Sequence, residues 1–195
     1  LLTLNYILLG LAGILLAFNC AHDCVHNTFS KNKKVNKAVF YWVFTLQGVS
    51  GRLWQKRHIA SHHIFPNVDG CDADIDDNPF MRLSPHHKLK KHQKYQHIYA
   101  VLLYAVYTLH WIFIKDMLYL KKKNLANLTN QRYSVSFVAE FIVLKMLYLV
   151  LLIVLPAMLT AASIQQILIA FLLMHMVISL FFVLTLIISH LCMET

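Results

Sequence analysis

The chain has 195 residues, of which 58% are hydrophobic and only 14% carry a charged side chain. Soluble domains usually have about a quarter charged residues, so this composition argues against a soluble globular protein and favours an integral membrane protein. The net charge of +9 comes from basic residues that flank apolar segments, which is a signal of membrane topology, and we therefore expect no nucleic acid partner.

Five apolar segments follow one another along the chain. A helix needs roughly 20 residues to cross the hydrocarbon of a bilayer, which predicts transmembrane helices over 1–19, 137–160 and 164–189. The segments 39–50 and 98–114 are shorter and have basic residues on both flanks, which predicts interfacial helices. The expected fold class is an all-α integral membrane protein.

The charges between the segments predict its topology. The basic flanks of both interfacial helices favour the cytoplasmic side, whereas the link 156–166 carries no charge and suits the other side. Ser163 and Gln166 in that link predict a capping box at the start of the last helix.

Both ends of the chain lie close to apolar runs. Leu1 is already inside the first run, and Thr195 follows shortly after the last one. We therefore expect residues 1–195 to be a single membrane domain that is incomplete at both ends.

Two histidines lie directly after the first apolar segment, in the stretch HDCVH. His22 and His26 are four residues apart, which places their Cβ atoms ~5–6 Å apart on one helical face. Two such imidazoles can reach one metal ion, and Asp23 could orient one of them by accepting its second N–H. Simple solvation at a membrane interface also explains the pair, so HDCVH alone does not decide between these interpretations.

A second histidine cluster occurs in RHIASHH, thirty or more residues later. His58 and His62 repeat the spacing of four, and His63 adds a third imidazole. The five imidazoles exceed the three or four protein ligands of a typical zinc site, which favours two metal ions. His190 lies on the same predicted side and could join them. Imidazole suits iron, zinc, copper and nickel, so the ligand type does not choose the metal.

Three stretches of the sequence can be compared with a known family: HDCVH, Trp54 followed by HIASHH, and PNVDGCDADID. Together they resemble the membrane fatty acid desaturases, particularly bacterial acyl-CoA desaturases related to the front-end type. Two later stretches are also similar to that family, namely RLSPHHKLKKHQKYQHIYAVLLYAVYTLHW and SHLCMET. The resemblance implies a non-haem di-iron centre that uses O2 to introduce a double bond into an acyl chain carried by CoA or a lipid. It implies six iron ligands: His22, His26, His58, His62, His63 and His190.

The resemblance has further implications for the surroundings of the site. Asn67 and Asp72 fit the family pattern after the second cluster and would support the ligands. Arg52, Lys56 and Arg57 are candidates for binding the anionic head group of the substrate, although all three also fit a role as positive-inside anchors.

The same resemblance implies a ferredoxin or cytochrome b5 as the electron donor. The topology predicted from the charges places the histidines on the cytoplasmic face, and we expect the membrane to be a bacterial inner membrane. The family's third histidine box, an HxxHH, does not occur in the sequence. We expect residues 1–195 alone to be inactive for that reason.

Three alternative functions can be weighed against the pattern. A membrane hydroxylase uses the same histidine clusters and diverges only after the first hydrogen abstraction. A metal-ion transporter also binds ions with histidines, but its ligands usually lie near the middle of the membrane. A bis-histidine haem protein would leave HIASHH unexplained.

Overall fold

The computed structural model describes residues 1–75 and 78–187. The helices in these ranges are numbered here in chain order. They are α1 Leu2–Val25, α2 Lys33–Leu46, α3 Gly51–Arg57, α4 Lys91–Ala105, α5 Tyr107–Lys121, α6 Val135–Leu159 and α7 Ile164–Thr185. Extended pairing within the described residues is limited to an isolated bridge between Leu125 and Leu128, so the all-α expectation is confirmed.

Three helices, α1, α6 and α7, are long and apolar enough to cross a membrane. They correspond to the three predicted spans, with ends that differ by a few residues. The helices α4 and α5 meet at an angle of 73° and would make a fourth span if they were counted as one. Their length and composition are compatible with either a broken span or a re-entrant segment, and the interfacial position predicted for 98–114 stays a prediction.

The first helix continues past the predicted end at residue 19. A π-helical turn, Ala17–Ala21, lengthens the helix by wider i→i+5 hydrogen bonding, and a last helical turn, His22–Val25, follows it. The residues HDCV therefore belong to α1 itself. This extension places the first histidine cluster on the membrane helix rather than in a loop behind it.

Two helix starts show how local capping sets the boundaries. The helix α2 begins six residues before the predicted segment because Asn32 Oδ1 accepts a hydrogen bond from the Lys34 N–H, at 2.9 Å. The predicted capping box of α7 is confirmed: Ser163 Oγ accepts from the Gln166 N–H at 3.3 Å, and Gln166 Oε1 accepts from the Ser163 N–H at 2.9 Å.

The helix α7 is the centre of the bundle. It packs closely along α1, where a Cβ atom added to Gly10 would lie 2.6 Å from Met174 Cγ. Phe171 and Met174 of α7 form an apolar core with Tyr6 of α1 and Tyr148 of α6. By contrast, only 11% of the apolar window of α6 is buried in the protein, which leaves most of that helix to face lipid.

A buried polar network fixes the break between α4 and α5 against α7. His175 is fully buried and hydrogen-bonds Thr108 Oγ1 through Nδ1 at 2.9 Å and Tyr148 Oη through Nε2 at 2.8 Å. The Thr108 N–H, at the start of α5, donates to Ser179 Oγ at 3.0 Å. Every ring nitrogen of His175 has a partner, so this histidine serves packing in the bundle.

Candidate metal centre

The first two histidines lie at the end of α1, where His22 begins the last turn and His26 is the C-cap residue. His22 and His26 lie one turn apart, and their ring centroids are 4.9 Å apart, as their spacing predicts. The π-helical turn Ala17–Ala21 lies directly before them. Turns of this kind are rare and occur frequently at functional sites, because the extra residue re-aims the side chains that follow.

The second cluster is carried by a π-helical turn, His58–His62, which continues α3. The His63 N–H donates to the His58 carbonyl at 2.9 Å, which is an i→i+5 hydrogen bond. This wider turn brings positions five apart, instead of four apart, onto one face. His58 and His63 consequently lie together, with 2.9 Å between their Nε2 atoms.

Four imidazoles from the two helices converge on one point. His22, His26, His58 and His63 each offer a ring nitrogen, and these nitrogens all lie within 4.8 Å of one another. His58 Nε2 is 3.1 Å from His22 Nε2. His26 Nε2 is buried and has no hydrogen-bond partner among the described residues.

The donor set fits a metal ion. Neighbouring nitrogens held by one metal at ~2.1 Å are separated by roughly 2.9–3.4 Å, depending on the coordination geometry, and the contacts of His58 are of this size. His58 Nε2 contacts two other ring nitrogens, but a neutral ring nitrogen has only one proton or one lone pair, so it cannot make a full hydrogen bond to both. A cation at the centre would serve all of them at once.

The electrostatics keep His58 ready to bind a cation. Burial, and then the neighbouring imidazoles of His63 and His22, lower the pKa of His58 to about 2. The ring is therefore neutral near pH 7, which is the form that binds metals.

His62 has different surroundings from those the spacing predicts. His58 and His62 have the spacing of four, but the π-helical turn places His63, rather than His62, with its Nε2 against that of His58. His62 Nδ1 instead donates to Asp72 Oδ2 at 2.9 Å, and this hydrogen bond raises the pKa of His62. The His62 ring still lies beside the group, with centroid distances of 5.8 Å to His58 and 5.7 Å to His63.

Asp72 holds the loop that follows the second cluster. Its side chain is fully buried, and it accepts hydrogen bonds from the Asn67 N–H and the Asp74 N–H at 2.8 Å each, in addition to the bond from His62. Asn67 adopts a positive φ of 59° at the turn that makes this contact possible. A carboxylate that orients a histidine in this way is typical of metal sites.

The corresponding carboxylate of the first cluster is less closely placed. Asp23 Oδ1 lies 4.0 Å from His22 Nδ1, which is within the range of an ion pair but too long for a hydrogen bond. The orienting role of Asp23 stays a prediction.

Two further residues support the second cluster through contacts that the sequence analysis does not predict. The Trp54 indole stacks on the His58 ring at 4.2 Å and 20°, one helical turn away. Asn127 donates from Nδ2 to the Ala60 carbonyl at 2.8 Å, although 67 residues separate them. The spacing of four between Trp54 and His58 could have indicated that their rings stack. No local sequence signal could have indicated the hydrogen bond from Asn127 to Ala60.

The three basic residues proposed for head-group binding differ in exposure. Arg57 is only 4% exposed, is 3.0 Å from Asp74 Oδ1 and lies over the Tyr119 ring. This burial removes Arg57 from the residues that could meet a head group. The other two are exposed: Arg52 pairs with Glu140 at 3.2 Å, and Lys56 lies over an aromatic ring. His190, the sixth predicted ligand, lies outside the described residues.

The chain is similar to a family of known proteins. The family model described as fatty acid desaturase matches residues 1–195. The chain is 29% identical over 152 residues to acyl-lipid (8-3)-desaturase B of Dictyostelium discoideum, which covers 77% of the chain and 32% of the relative. It is 30% identical over 119 residues to sn-1 linoleoyl-lipid 6-desaturase of Synechocystis sp., covering 61% and 33%.

The chain therefore spans about a third of the length of these relatives. A third relative, the probable delta(5) fatty acid desaturase C of Dictyostelium discoideum, is 32% identical over 54% of the chain and 23% of its own length. No solved structure matches the chain.

Proposed function

Because this chain belongs to the fatty acid desaturase family, we propose that its protein introduces double bonds into fatty acyl chains in an O2-dependent reaction. The observation that carries the proposal is the convergence of four imidazoles, from the end of a membrane helix and from a second helix, on one point. All 195 residues would belong to one membrane domain.

We propose two iron ions as the cofactor. His22, His26, His58 and His63 would hold one of them, because their nitrogens already face each other. His62 would be a ligand of the second, in company with His190. When bound, the iron centre supplies the activation of O2 and the removal of hydrogen from the acyl chain.

The residues around the histidines prepare the site for this chemistry. Asp72 accepts the Nδ1 proton of His62 and thereby fixes the tautomer that leaves Nε2 as the donor atom. Trp54 covers one face of His58 and holds the plane of its ring. The cluster continues the apolar helix α1, against which α7 packs, and the acyl chain would approach the histidines along this apolar pair of helices.

The remaining assignments follow from the same proposal. The substrate would be an acyl-CoA or an acyl lipid, with Arg52 and Lys56 near its anionic head group, and a ferredoxin or cytochrome b5 would donate electrons. The histidine cluster would lie on the cytoplasmic face, in a bacterial inner membrane. Basic residues on the flanks of 39–50 and 98–114 support this orientation.

The test uses the natural full-length protein in membranes that are supplied with an electron donor, O2 and deuterium-labelled acyl chains. We expect an O2-dependent double bond, iron at two atoms per chain, and loss of the product in His63→Ala. His86→Ala is the matched control, because His86 is exposed and lies outside the cluster. A hydroxylated product, haem absorbance, or ion transport without acyl oxidation would overturn the proposal.

A further inference from the structure

An ion pair lies buried between α5 and α6, outside the histidine cluster. Lys145 Nζ is 2.7 Å from Asp116 Oδ2, and the two residues are 7% and 0% exposed. Lys145 lies about 15 Å along α6 from Val135 at the helical rise of ~1.5 Å per residue. Charged residues at such depth in a membrane helix are rare and usually serve a function.

Both partners of the pair also bind the backbone of the turn between α2 and α3. Asp116 Oδ2 accepts a hydrogen bond from the Ser50 N–H at 2.8 Å. Lys145 Nζ donates to the Gly48 carbonyl at 2.6 Å. Side chains from two distant helices thus fix one donor and one acceptor of a single turn.

This turn is the start of the helix that carries the second histidine cluster. Ser50 is the N-cap residue of α3, and its own side chain makes no capping hydrogen bond. From Gly51 the helix runs without interruption through Arg57 into the π-helical turn His58–His62. The position of Ser50 therefore determines where His58 and His63 lie relative to the histidines of α1.

A second ion pair connects α3 directly to α6 at the protein surface. Arg52 of α3 and Glu140 of α6 are 3.2 Å apart, but their side chains are 48% and 39% exposed. Exposed pairs of this kind contribute little to stability and do not fix a backbone. The two pairs allow a comparison, since each has one partner on α6 and only the buried pair binds the backbone of the turn.

We propose that Asp116 and Lys145 are positioning residues, which set the entry of α3 and thereby the convergence of its histidines with those of α1. The proposal rests on the metal site proposed above. In a purely structural role the two residues could exchange places, since any two opposite charges would hold α5 against α6. The proposed positioning role does not allow this exchange. The carboxylate must lie at position 116 and the ammonium group at position 145, because the Ser50 N–H needs an acceptor and the Gly48 carbonyl needs a donor.

The test is a titration of the purified full-length protein with Co(II), whose visible absorption bands report the number and geometry of its ligands. The first variant is Asp116→Asn with Lys145→Gln, which keeps side chains of similar size and removes both charges. The second exchanges the residues, Asp116→Lys with Lys145→Asp, which keeps the ion pair and reverses its direction. Glu140→Gln is the control for the exposed pair.

We expect both double variants to bind Co(II) about 10–100-fold more weakly than the wild type, as is typical when groups that support metal ligands are lost. We also expect faster hydrogen–deuterium exchange of the amides of residues 50–57 in the metal-free protein. Glu140→Gln should match the wild type in both measurements. The exchanged variant still contains a buried ion pair, so it should retain helix packing while it loses the site.

Wild-type affinity and spectrum in the exchanged variant would overturn the proposal and leave a structural ion pair. Unchanged amide exchange in both double variants would also overturn it. If the wild-type protein binds no Co(II) while amide exchange responds as expected, the failure lies in the proposed metal site, and the positioning of α3 stands. If a double variant does not fold, Asp116→Asn alone is measured, since a buried lysine can lose its proton.

Discussion

At the scale of single residues, the chemistry of the site depends on which histidines share a face. An α-helical spacing predicts His58 with His62, and the structure has His58 with His63. The residue types were sufficient to predict that the histidines could form a group able to hold a metal ion, since imidazoles four or five apart are all near neighbours. They could not predict the assignment of each ring, because the π-helical turn is stabilised by hydrogen bonds that the sequence does not display.

Asp72 is the residue whose replacement should affect the site most selectively. Asp72→Asn keeps the size of the side chain but replaces one of the accepting oxygens, so the hydrogen bonds from His62, Asn67 and Asp74 cannot all persist. We expect metal affinity to fall about 10–100-fold, as measured by Co(II) titration of the full-length protein.

The control for this change is Asp69→Asn in the same loop. Asp69 is 42% exposed and pairs with His87 at 2.7 Å, away from the cluster. Its replacement should leave the metal affinity unchanged. Equal affinities in Asp72→Asn and the wild type would show that His62 does not need its carboxylate partner.

At the scale of helices, hydropathy predicted the three long apolar helices and capping residues predicted the start of α7. The end of α1 was not predictable, because His22 to Val25 continue the helix through a π-helical turn. The break between α4 and α5 was not predictable either. It depends on Thr108, His175 and Ser179, which are distant in sequence and meet only in the packed bundle.

Gly48, in the turn before α3, allows a test of close packing. Its φ is +70°, and a Cβ atom there would lie 2.7 Å from Cδ1 of the Tyr148 ring. Gly70 has nearly the same φ, +71°, but nothing lies within 4 Å of the added atom. Both alanine variants therefore share the cost of the left-handed backbone, and only one meets a rigid ring.

We expect Gly48→Ala to destabilise the protein by about 1–3 kcal/mol more than Gly70→Ala, the usual cost of overpacking. At ~2–4 °C per kcal/mol for a chain of this length, thermal unfolding in detergent resolves the difference. Equal melting temperatures for the two variants would mean that the Tyr148 ring moves aside.

Replacement of Asn127 tests whether the loop before α6 supports the π-helical turn His58–His62. In an α-helix the Ile64 N–H would bind the Ala60 carbonyl, but it donates to Ser61, and Asn127 Nδ2 takes the vacant position. Asn127→Ala should lower stability by about 1 kcal/mol and also weaken Co(II) binding.

Asn124→Ala is the control for Asn127→Ala. Asn124 accepts the Asn130 N–H at 3.0 Å in the same loop without contacting the second cluster. It should lower the melting temperature to a similar extent and leave Co(II) binding intact. Metal affinities that fall equally in both variants would contradict a specific role for Asn127.

At the scale of the whole molecule, the histidine cluster can function on one side of the membrane only if α1 and α3 end on that side. The geometry of the described residues brings the two ends together, since His22 and His58 are in contact. If α4 and α5 cross the membrane together, the loop between α5 and α6 lies on the opposite side from the segment before α4, and if they return, both lie on the same side. The basic residues before α4 and after α5 favour the return.

Cysteine labelling distinguishes these topologies. The four native cysteines are first replaced by alanine. A single cysteine is then introduced by Lys94→Cys or Lys122→Cys, at the two ends of the bent helix pair, or by Ala161→Cys, in the link between α6 and α7. We expect an impermeant maleimide to label Lys94→Cys and Lys122→Cys in sealed inside-out vesicles and Ala161→Cys only in right-side-out vesicles. The charges drive this result, because moving the lysines that follow α5 across the bilayer would oppose the positive-inside preference. Labelling of Lys94→Cys and Lys122→Cys from opposite sides would instead establish a fourth crossing, with α6 then running in the reverse direction.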